Sequence, residues 1–136
     1  MSGFNQKDAA LKVTKTLPAS NTTGYSSGLD LGHGLKGDFL ANAEVLISLA
    51  AVATGELADA ATHKVSLQHD DDSAFGTVAD LYADILTQTG AGGAGAAATT
   101  VQVRLPVDVK RYIRLKIVKS DNHDASAKSA TMELVL

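Results

Sequence analysis

The chain contains no cysteine and no tryptophan, and its aromatic residues are limited to three tyrosines and three phenylalanines. Without cysteine, the protein can form neither disulfides nor thiolate metal sites. The scarcity of aromatic rings argues against a carbohydrate-binding groove, which commonly presents them to the sugar. No apolar run reaches the ~18 residues that a membrane-spanning helix needs. We therefore expect no membrane partner.

Positive charge is also scarce, with 12 Lys and Arg against 15 Asp and Glu and a net charge of −3. The basic residues are scattered, apart from a short cluster at Lys110, Arg111, Arg114 and Lys116. A nucleic-acid-binding surface usually needs a more concentrated basic patch, so we expect no nucleic acid partner. The first residues lack the charged-then-apolar pattern of a signal peptide, and we do not expect export by the Sec route.

The strongest pattern in the sequence is period-two alternation of apolar and polar residues. Such alternation places successive side chains on opposite faces of a β-sheet. It occurs in six separate segments, whose shared apolar faces are Leu11, Val13, Leu17; Val45, Ile47, Leu49; Val65, Leu67; Val101, Val103, Leu105; Ile113, Leu115, Ile117; and Met132, Leu134, Leu136. Each segment predicts a strand with one face on a core.

Turn-forming residues separate these strands and set the predicted organisation. Ser, Thr, Asn and Gly are frequent in residues 18–28, and a low-complexity GAGGAGAAA segment begins at Gly90 and predicts a mobile loop. A chain of 136 residues suits one domain. We predict an all-β, single-domain β-sandwich or jelly roll in residues 41–136, preceded by an extended N-terminal arm and irregular Gly/Ser-rich segment in residues 1–40.

Residues 79–86 fit two periods, because Val78, Leu81, Tyr82 and Ile85 have helical spacing while Leu81, Ala83 and Ile85 alternate. We favour a strand or an irregular segment over a helix, since the neighbouring segments are strands. The predicted core lists Leu11, Val13, Val45, Ile47, Leu49, Val65, Leu67, Val101, Val103, Leu105, Ile113, Leu115, Ile117, Leu134 and Leu136.

The titratable residues do not form a recognisable metal motif. None of His33, His63, His69 and His123 shows the close spacing of a helix-borne metal site, and we expect solvated histidines in loops or at strand ends. The run from Asp70 has three consecutive aspartates where a calcium loop has ligands at alternating positions, and no glutamate follows Gly76 six residues on, which favours a solvated turn over weak cation binding. We predict no metal and no cofactor.

Two further segments match a catalytic or a nucleotide-binding motif in residue types but not in the secondary structure that surrounds them. Residues 24–28 match G-x-S-x-G around Ser26, but no apolar strand precedes them and no helix follows. We predict a flexible turn there. The glycines from Gly90 lead into a strand, whereas a phosphate-binding loop leads into a helix. We expect no catalytic residue and no enzyme activity.

Two groups of residues are candidates for an oligomer or capsid interface. Tyr112, Arg114 and Lys116 alternate with the apolar face of their strand, so they should point outward together, either as a solvated face or as a contact surface for an acidic partner. The second group lies in poorly periodic sequence and either tucks onto the core or reaches a neighbouring subunit: Phe4, Leu29, Leu31 and Phe39.

The last third of the chain resembles a known family. It runs from a strand ending in Leu105-Pro106, through the strand Arg111-Tyr112-Ile113-Arg114-Leu115-Lys116-Ile117, to the closing segment 130–136. Upstream, residues 57–59, 63–68 and the Asp-rich loop into Ser73-Ala74-Phe75 have a similar order. Together, residues 40–136 resemble the cement (decoration) proteins of tailed phages of the Bordetella-phage and epsilon-fifteen type.

The resemblance implies a jelly roll on the outer surface of a virion, made in the host cytoplasm. Such a protein would cement contacts between major capsid subunits and associate with itself as a homodimer or homotrimer. The resemblance brings no catalytic residues, and its contact residues do not transfer position by position. The alternative is a jelly-roll binding module for a glycan or for host attachment.

Overall fold

The computed structural model describes residues 12–32 and 43–135. These residues contain no helix, and hence none that could cross a membrane. Their strands, in chain order, are β1 (Lys12–Thr16), β2 (Thr23–Tyr25), β3 (Leu29–Asp30), β4 (Glu44–Leu49), β5 (Thr62–Asp70), β6 (Ala79–Thr89), β7 (Thr99–Arg104), β8 (Tyr112–Lys119) and β9 (Ser129–Val135).

The strands form two antiparallel sheets. Sheet A has the order β1-β9-β4-β7, and sheet B has the order β2-β8-β5-β6 with β3 also paired to β8. Most neighbours in a sheet are distant in sequence, as in Greek-key and jelly-roll sandwiches. The predicted all-β sandwich is confirmed.

The core lies between the sheets, on the apolar faces that the alternation predicts. In β8, Ile113, Leu115 and Ile117 are buried, while the residues between them are half-buried. Burial of one such side chain contributes about 1.5–3 kcal/mol. Other predicted core residues are also buried: Val45, Ile47, Leu49, Val65, Leu67, Leu105 and Leu134.

Three residues of the predicted core are less buried than expected. Val13 in β1 and Val101 and Val103 in β7 are only partly buried and pack against the margin of the core. The reason is their position, because β1 and β7 are the two edge strands of sheet A. Leu11 and Leu136 lie outside the residues that the structure describes.

The ambiguous segment is a strand, β6, as favoured from the sequence. Its pairing with β5 has register shifts on either side of Leu67, and Asp84 has a φ of 48°. An irregularity of this kind inserts a residue out of phase, so the apolar pattern loses its period of two. The helical spacing of the apolar residues is therefore a consequence of the irregular pairing.

The N-terminal segment needs correction where it is described. β1 pairs with β9 in sheet A, and β2 and β3 pair with β8 in sheet B. Residues 12–30 thus belong to both sheets and are not an irregular arm. The boundary predicted at residue 40 does not separate them from the domain, while residues 1–11 and 33–42 lie outside the described residues.

The glycine-alanine loop also differs from expectation, because it is held against the β4–β5 loop. Val52 and Ala96 exchange two main-chain hydrogen bonds of 2.9 Å. A Cβ at Gly95 would lie 2.0 Å from the Val52 oxygen, and one at Gly90 would lie 2.2 Å from the Ala58 oxygen. The glycines permit this close approach of two backbones, so the segment is packed against its neighbour at Gly90 and Gly95.

Candidate functional site

The outer face of β8 carries the three residues that the alternation predicted to point outward. Tyr112, Arg114 and Lys116 alternate with the buried isoleucines and leucine of this strand, so they lie on the face of sheet B away from the core. Their outward placement agrees with the sequence pattern, and their role in contacts stays a prediction.

Arg114 is held by two aromatic rings and an amide. Its guanidinium carbon lies 4.2 Å from the centroid of the Tyr25 ring and 4.4 Å from that of the Phe75 ring. Its Nε donates a hydrogen bond of 2.9 Å to Oε1 of Gln68, the residue opposite it on β5. Cation–π contacts of this kind stabilise by about 0.5–2 kcal/mol, depending on desolvation. Arg114 is therefore fixed before any partner arrives.

The groups that hold Arg114 are themselves fixed. Gln68 is buried, and its Nε2 donates a hydrogen bond of 2.9 Å to Oδ1 of Asp80 on β6. The Phe75 ring is buried against Gly28, where a Cβ would lie 2.8 Å from the ring. Tyr25 is different, because 45% of it is exposed. It leaves a ring accessible beside the guanidinium.

Two lysines extend the positive charge along this face. Lys116 lies opposite Tyr25 on β2 and Ser66 on β5, and Lys64 of β5 lies opposite Val118. Among the described residues, no carboxylate forms an ion pair with either lysine or with Arg114. By contrast, Arg111 forms a bidentate salt bridge with Asp30. We call Arg114, Lys116 and Lys64 the basic strip.

In the second group of candidate interface residues, the two that the structure describes lie against the core. Leu29 is 4% exposed and lies in the core, because β3 pairs with Ile113 of β8 and turns this side chain inward. Of the two alternatives left open for this residue, the structure shows the one in which it packs onto the core. Leu31 is partly buried against the core. Phe4 and Phe39 lie outside the described residues.

A buried polar cluster, centred on Lys119, lies at the other end of β8. Lys119 and His63 are both 0% exposed. The Lys119 ammonium lies 2.8 Å from Oδ1 of Asp121, 3.4 Å from Nε2 of His63, and donates to the Glu56 carbonyl oxygen at 2.5 Å. On the far side of the ring, Nδ1 of His63 lies 2.9 Å from Oε1 of Gln88. We call these five residues the Lys119 cluster.

The hydrogen bonds assign the histidine tautomer and connect the cluster to the loops. An ammonium can only donate, so Nε2 of His63 accepts and Nδ1 carries the proton given to Gln88. The amide nitrogen of Gln88 donates to the carbonyls of Ala50 and Ala97, at 2.9 and 3.1 Å. Asp121 accepts from the Ala58 amide at 2.9 Å. The cluster thus ties three loops to the end of sheet B.

The charge states follow from these contacts. Burial lowers the pKa of His63, and the positive charge of Lys119 lowers it further, against the opposing effects of Gln88 and Asp121. Burial acts to raise the pKa of Asp121, but hydrogen bonds from Lys119, the Ala58 amide and His123 outweigh it and lower that pKa to about 2. At neutral pH the cluster holds a neutral imidazole and an ion pair.

The three histidines that the structure describes do not assemble a metal site. His63 is buried, which corrects the expectation that it is solvated, and His69 is half-buried with its Nδ1 accepting from the Lys110 amide at 3.1 Å. His123 is exposed, as expected, and His33 lies outside the described residues. Within residues 12–32 and 43–135, no group of three histidine or acidic residues could hold a metal ion.

The acidic run forms a turn whose first residue is buried. Both carboxylate oxygens of Asp70 accept main-chain hydrogen bonds, from Asp72 at 3.1 Å and from Thr77 at 2.8 Å. Burial acts to raise the pKa of Asp70, and these amides outweigh it, so the pKa is lowered. The predicted turn is present, but Asp70 is not solvated and its oxygens organise the loop.

The serine of the G-x-S-x-G match is also buried and has a structural partner. The Ser26 hydroxyl donates to the Ser27 carbonyl at 2.9 Å and accepts from the Leu115 amide at 2.8 Å. It thereby links the β2–β3 segment to the middle of β8. The prediction of a flexible turn is wrong, since this turn is anchored.

The sequence did not indicate the clustering of Tyr25, Phe75 and Arg114. These residues are separated by dozens of positions, and they meet because β2 pairs with β8 while the β5–β6 loop folds over the same face. The burial of Lys119 was equally hidden. Its one sequence signal is the alternation of β8, which continues from Ile117 and predicts an inward side chain at position 119.

Comparison with known proteins supports the fold and goes no further. No family model matches the chain, and no curated protein matches it. The PBSX exported protein XepA is similar in structure, with 15% identity and a TM-score of 0.53, over 90% of this chain. The chain spans 34% of the length of XepA.

Two other solved structures are similar to this chain at TM-scores below 0.5. A chain of the Cowpea mosaic virus top component has 10% identity and a TM-score of 0.47, covering 98% of this chain and 83% of its own. The CBM27-1 module of Caldicellulosiruptor saccharolyticus, solved with mannohexaose, has 13% identity and a TM-score of 0.44, covering 91% and 70%. Likeness at these identities concerns the fold alone.

Proposed function

We propose that this protein is a structural virion protein that binds the outer surface of a phage capsid and cements contacts between major capsid subunits. It acts by contact and catalyses no reaction. The observation that carries the proposal is the outer face of sheet B, where Arg114 is fixed by two rings and an amide and where two lysines have no acidic partner among the described residues. Such a face is prepared for a partner surface.

Two further observations support a role in a virion. Residues 40–136 resemble the phage cement proteins in the order of their strands and loops. The fold is similar to that of a phage exported protein, XepA, over most of this chain. The virion role in the proposal rests on these two similarities, and the contact surface rests on the chain's own residues.

Self-association belongs to the proposal. A stable interface buries on the order of 1,600 Å² in total, or about 800 Å² per partner, and the chain exposes 6721 Å², so one such interface leaves most of the surface free for further contacts. A homodimer or homotrimer would engage several capsid subunits at once and bind more tightly through avidity than one copy could. Light scattering coupled to size exclusion measures this state: a dimer or trimer is expected, and a monomer at all concentrations contradicts it.

The test of capsid binding is co-sedimentation. The purified protein is mixed with expanded shells of the phage whose genome carries the gene, and the pellet is imaged by cryo-microscopy. Saturable pelleting with density for a sandwich on the outer shell is expected. Protein that stays in the supernatant with mature shells contradicts the proposal.

A second candidate function is a glycan-binding module, which one observation favours. Tyr25 is 45% exposed on the outer face of sheet B, and such a ring can stack on a sugar. A glycan array separates the two functions. Retention on a defined sugar that is lost with Tyr25→Ala, without pelleting on shells, supports the binding module.

A further inference from the structure

We infer that the basic strip is an anchor for carboxylate groups, and that its partner is an extended acidic segment of a protein, with Arg114 as the central contact. The inference deepens the proposed function, on which it rests for the identity of the protein that carries the segment. The acidic chemistry of the partner follows from the strip itself.

Among the described residues no carboxylate pairs directly with these cations; Asp80 lies on the same face, but its Oδ1 accepts from Gln68 rather than from Arg114. The neighbours of Lys116 across the sheet are Tyr25 and Ser66, and the neighbours of Lys64 are Val118 and Thr87. Each is uncharged. A chain with net charge −3 thus collects three cations on one face of one sheet, and none of them forms an ion pair within residues 12–32 and 43–135.

The spacing of the strip fits an extended partner. Arg114 and Lys116 are two residues apart on β8, and Lys64 is the diagonal neighbour of Lys116 across β5. Both separations are about 7 Å in a sheet. Alternate residues of an extended chain are also about 7 Å apart, so carboxylates at alternate positions match the cations.

Arg114 is prepared to bind a carboxylate with little loss of freedom. Its guanidinium contacts the two rings, and among the described residues only Nε has a hydrogen-bond acceptor, the Gln68 amide oxygen. The terminal nitrogens keep their donors for a partner. A planar guanidinium binds a carboxylate through two parallel hydrogen bonds, and a guanidinium that is already fixed loses less entropy in doing so.

An acidic protein fits the strip better than nucleic acid or an uncharged sugar. Three cations on an acidic chain offer few phosphate contacts, whereas nucleic-acid binding draws its affinity from many. An uncharged glycan would use Tyr25 and leave Lys64 and Lys116 unpaired. Phosphate and sugar binding are therefore outcomes that the experiment must distinguish.

The experiment uses the intact protein, expanded shells and a short peptide of alternating Thr and Glu. The Arg114→Lys variant keeps the charge and loses the planar fork, and Arg114→Gln loses both. Lys12→Gln, on the outer face of sheet A, is the matched control because it changes net charge equally. Binding to shells is measured by pelleting, and binding to the peptide by NMR shifts, with a Thr/Gln peptide and a single-stranded DNA as comparisons.

The expected result is a loss of about tenfold or more in shell affinity for Arg114→Gln, a smaller loss for Arg114→Lys, and none for Lys12→Gln. The Thr/Glu peptide should shift signals along the strip more strongly than the Thr/Gln peptide or DNA, and added salt should weaken binding of the Thr/Glu peptide.

Shell binding that is unchanged in Arg114→Gln overturns the inference and leaves the proposed function intact. If the wild-type protein does not pellet with shells, the proposed function fails, and the peptide arm then decides the inference. Equal response to both peptides, or stronger binding of DNA, overturns it.

Discussion

The Lys119 cluster permits a sharp prediction about stability. The substitution Lys119→Met keeps a long unbranched side chain and removes the ammonium. Oδ1 of Asp121, a side chain of which 15% is exposed, and the carbonyl oxygen of Glu56 then lose the ammonium, while Oδ2 of Asp121 keeps the Ala58 amide and His123. Removing one partner of a buried ion pair leaves an uncompensated buried charge, which costs about 3–5 kcal/mol. Because water reaches part of Asp121, we expect the lower end, about 3 kcal/mol.

The assay is unfolding by urea and by heat, monitored by far-ultraviolet circular dichroism because the chain contains no tryptophan. A loss of about 3 kcal/mol would lower the thermal midpoint by roughly 10 °C for a chain of this size. Adding Asp121→Asn to Lys119→Met should recover part of the loss, because it removes the charge left without a partner.

The matched control is Lys128→Met. Lys128 pairs with the side chain of the same glutamate, Glu56, at 2.8 Å, but it is 39% exposed. Exposed pairs contribute about 0–1 kcal/mol, so this variant should be nearly as stable as the wild type. Equal losses for Lys119→Met and Lys128→Met, or a loss below 1 kcal/mol for the buried lysine, would refute the assignment of the cluster as a structural anchor.

Three further predictions concern the same fold. Stability should fall on acidification in two steps, which urea titrations at a series of pH values would measure. Because the pKa of His63 is lowered by folding, its contribution to stability is present above the unfolded pKa of about 6.5 and is lost as the pH falls below that value. Asp121 contributes about 2 kcal/mol that is present above pH 3.8 and is lost as the pH falls through about 2. Gly90→Ala places a Cβ 2.2 Å from a main-chain oxygen of the β4–β5 loop and should cost about 1–3 kcal/mol of stability. The control Gly55→Ala, whose Cβ would have nothing within 4 Å, should change stability by less than about 0.5 kcal/mol. Equal effects of the two substitutions would show that the glycine-alanine loop is not packed. Tyr25→Ala should cost about 1 kcal/mol through its contact with the guanidinium, and a neutral result would show that the exposed ring does not hold it.

Strong alternation made most of the fold predictable from the sequence. In β4 and β8 the apolar residues recur at every second position, as at Val45, Ile47 and Leu49, and the structure buries them all. The short strands β2 and β3 span three and two residues, too few to show a period. They form because β8 offers them a partner, as the bond between Ser26 and Leu115 shows.

The candidate site was predictable only in part, because much of it depends on contacts between distant residues. Alternation placed Arg114 and Lys116 outward, since that property belongs to one strand. It carried no information about Phe75, which reaches the same face from a loop. The burial of His63 was missed because a histidine in a strand reads as solvated unless its partner, here Gln88 on β6, is known.

The measurement that tests the central claim most directly is co-sedimentation of the intact protein with expanded shells of its phage, with cryo-microscopy of the pellet. The account predicts saturable binding, density for the sandwich on the outer surface, and sheet B with Arg114 facing an acidic segment of the shell. Protein that remains in the supernatant, or density that presents sheet B to solvent, would contradict it.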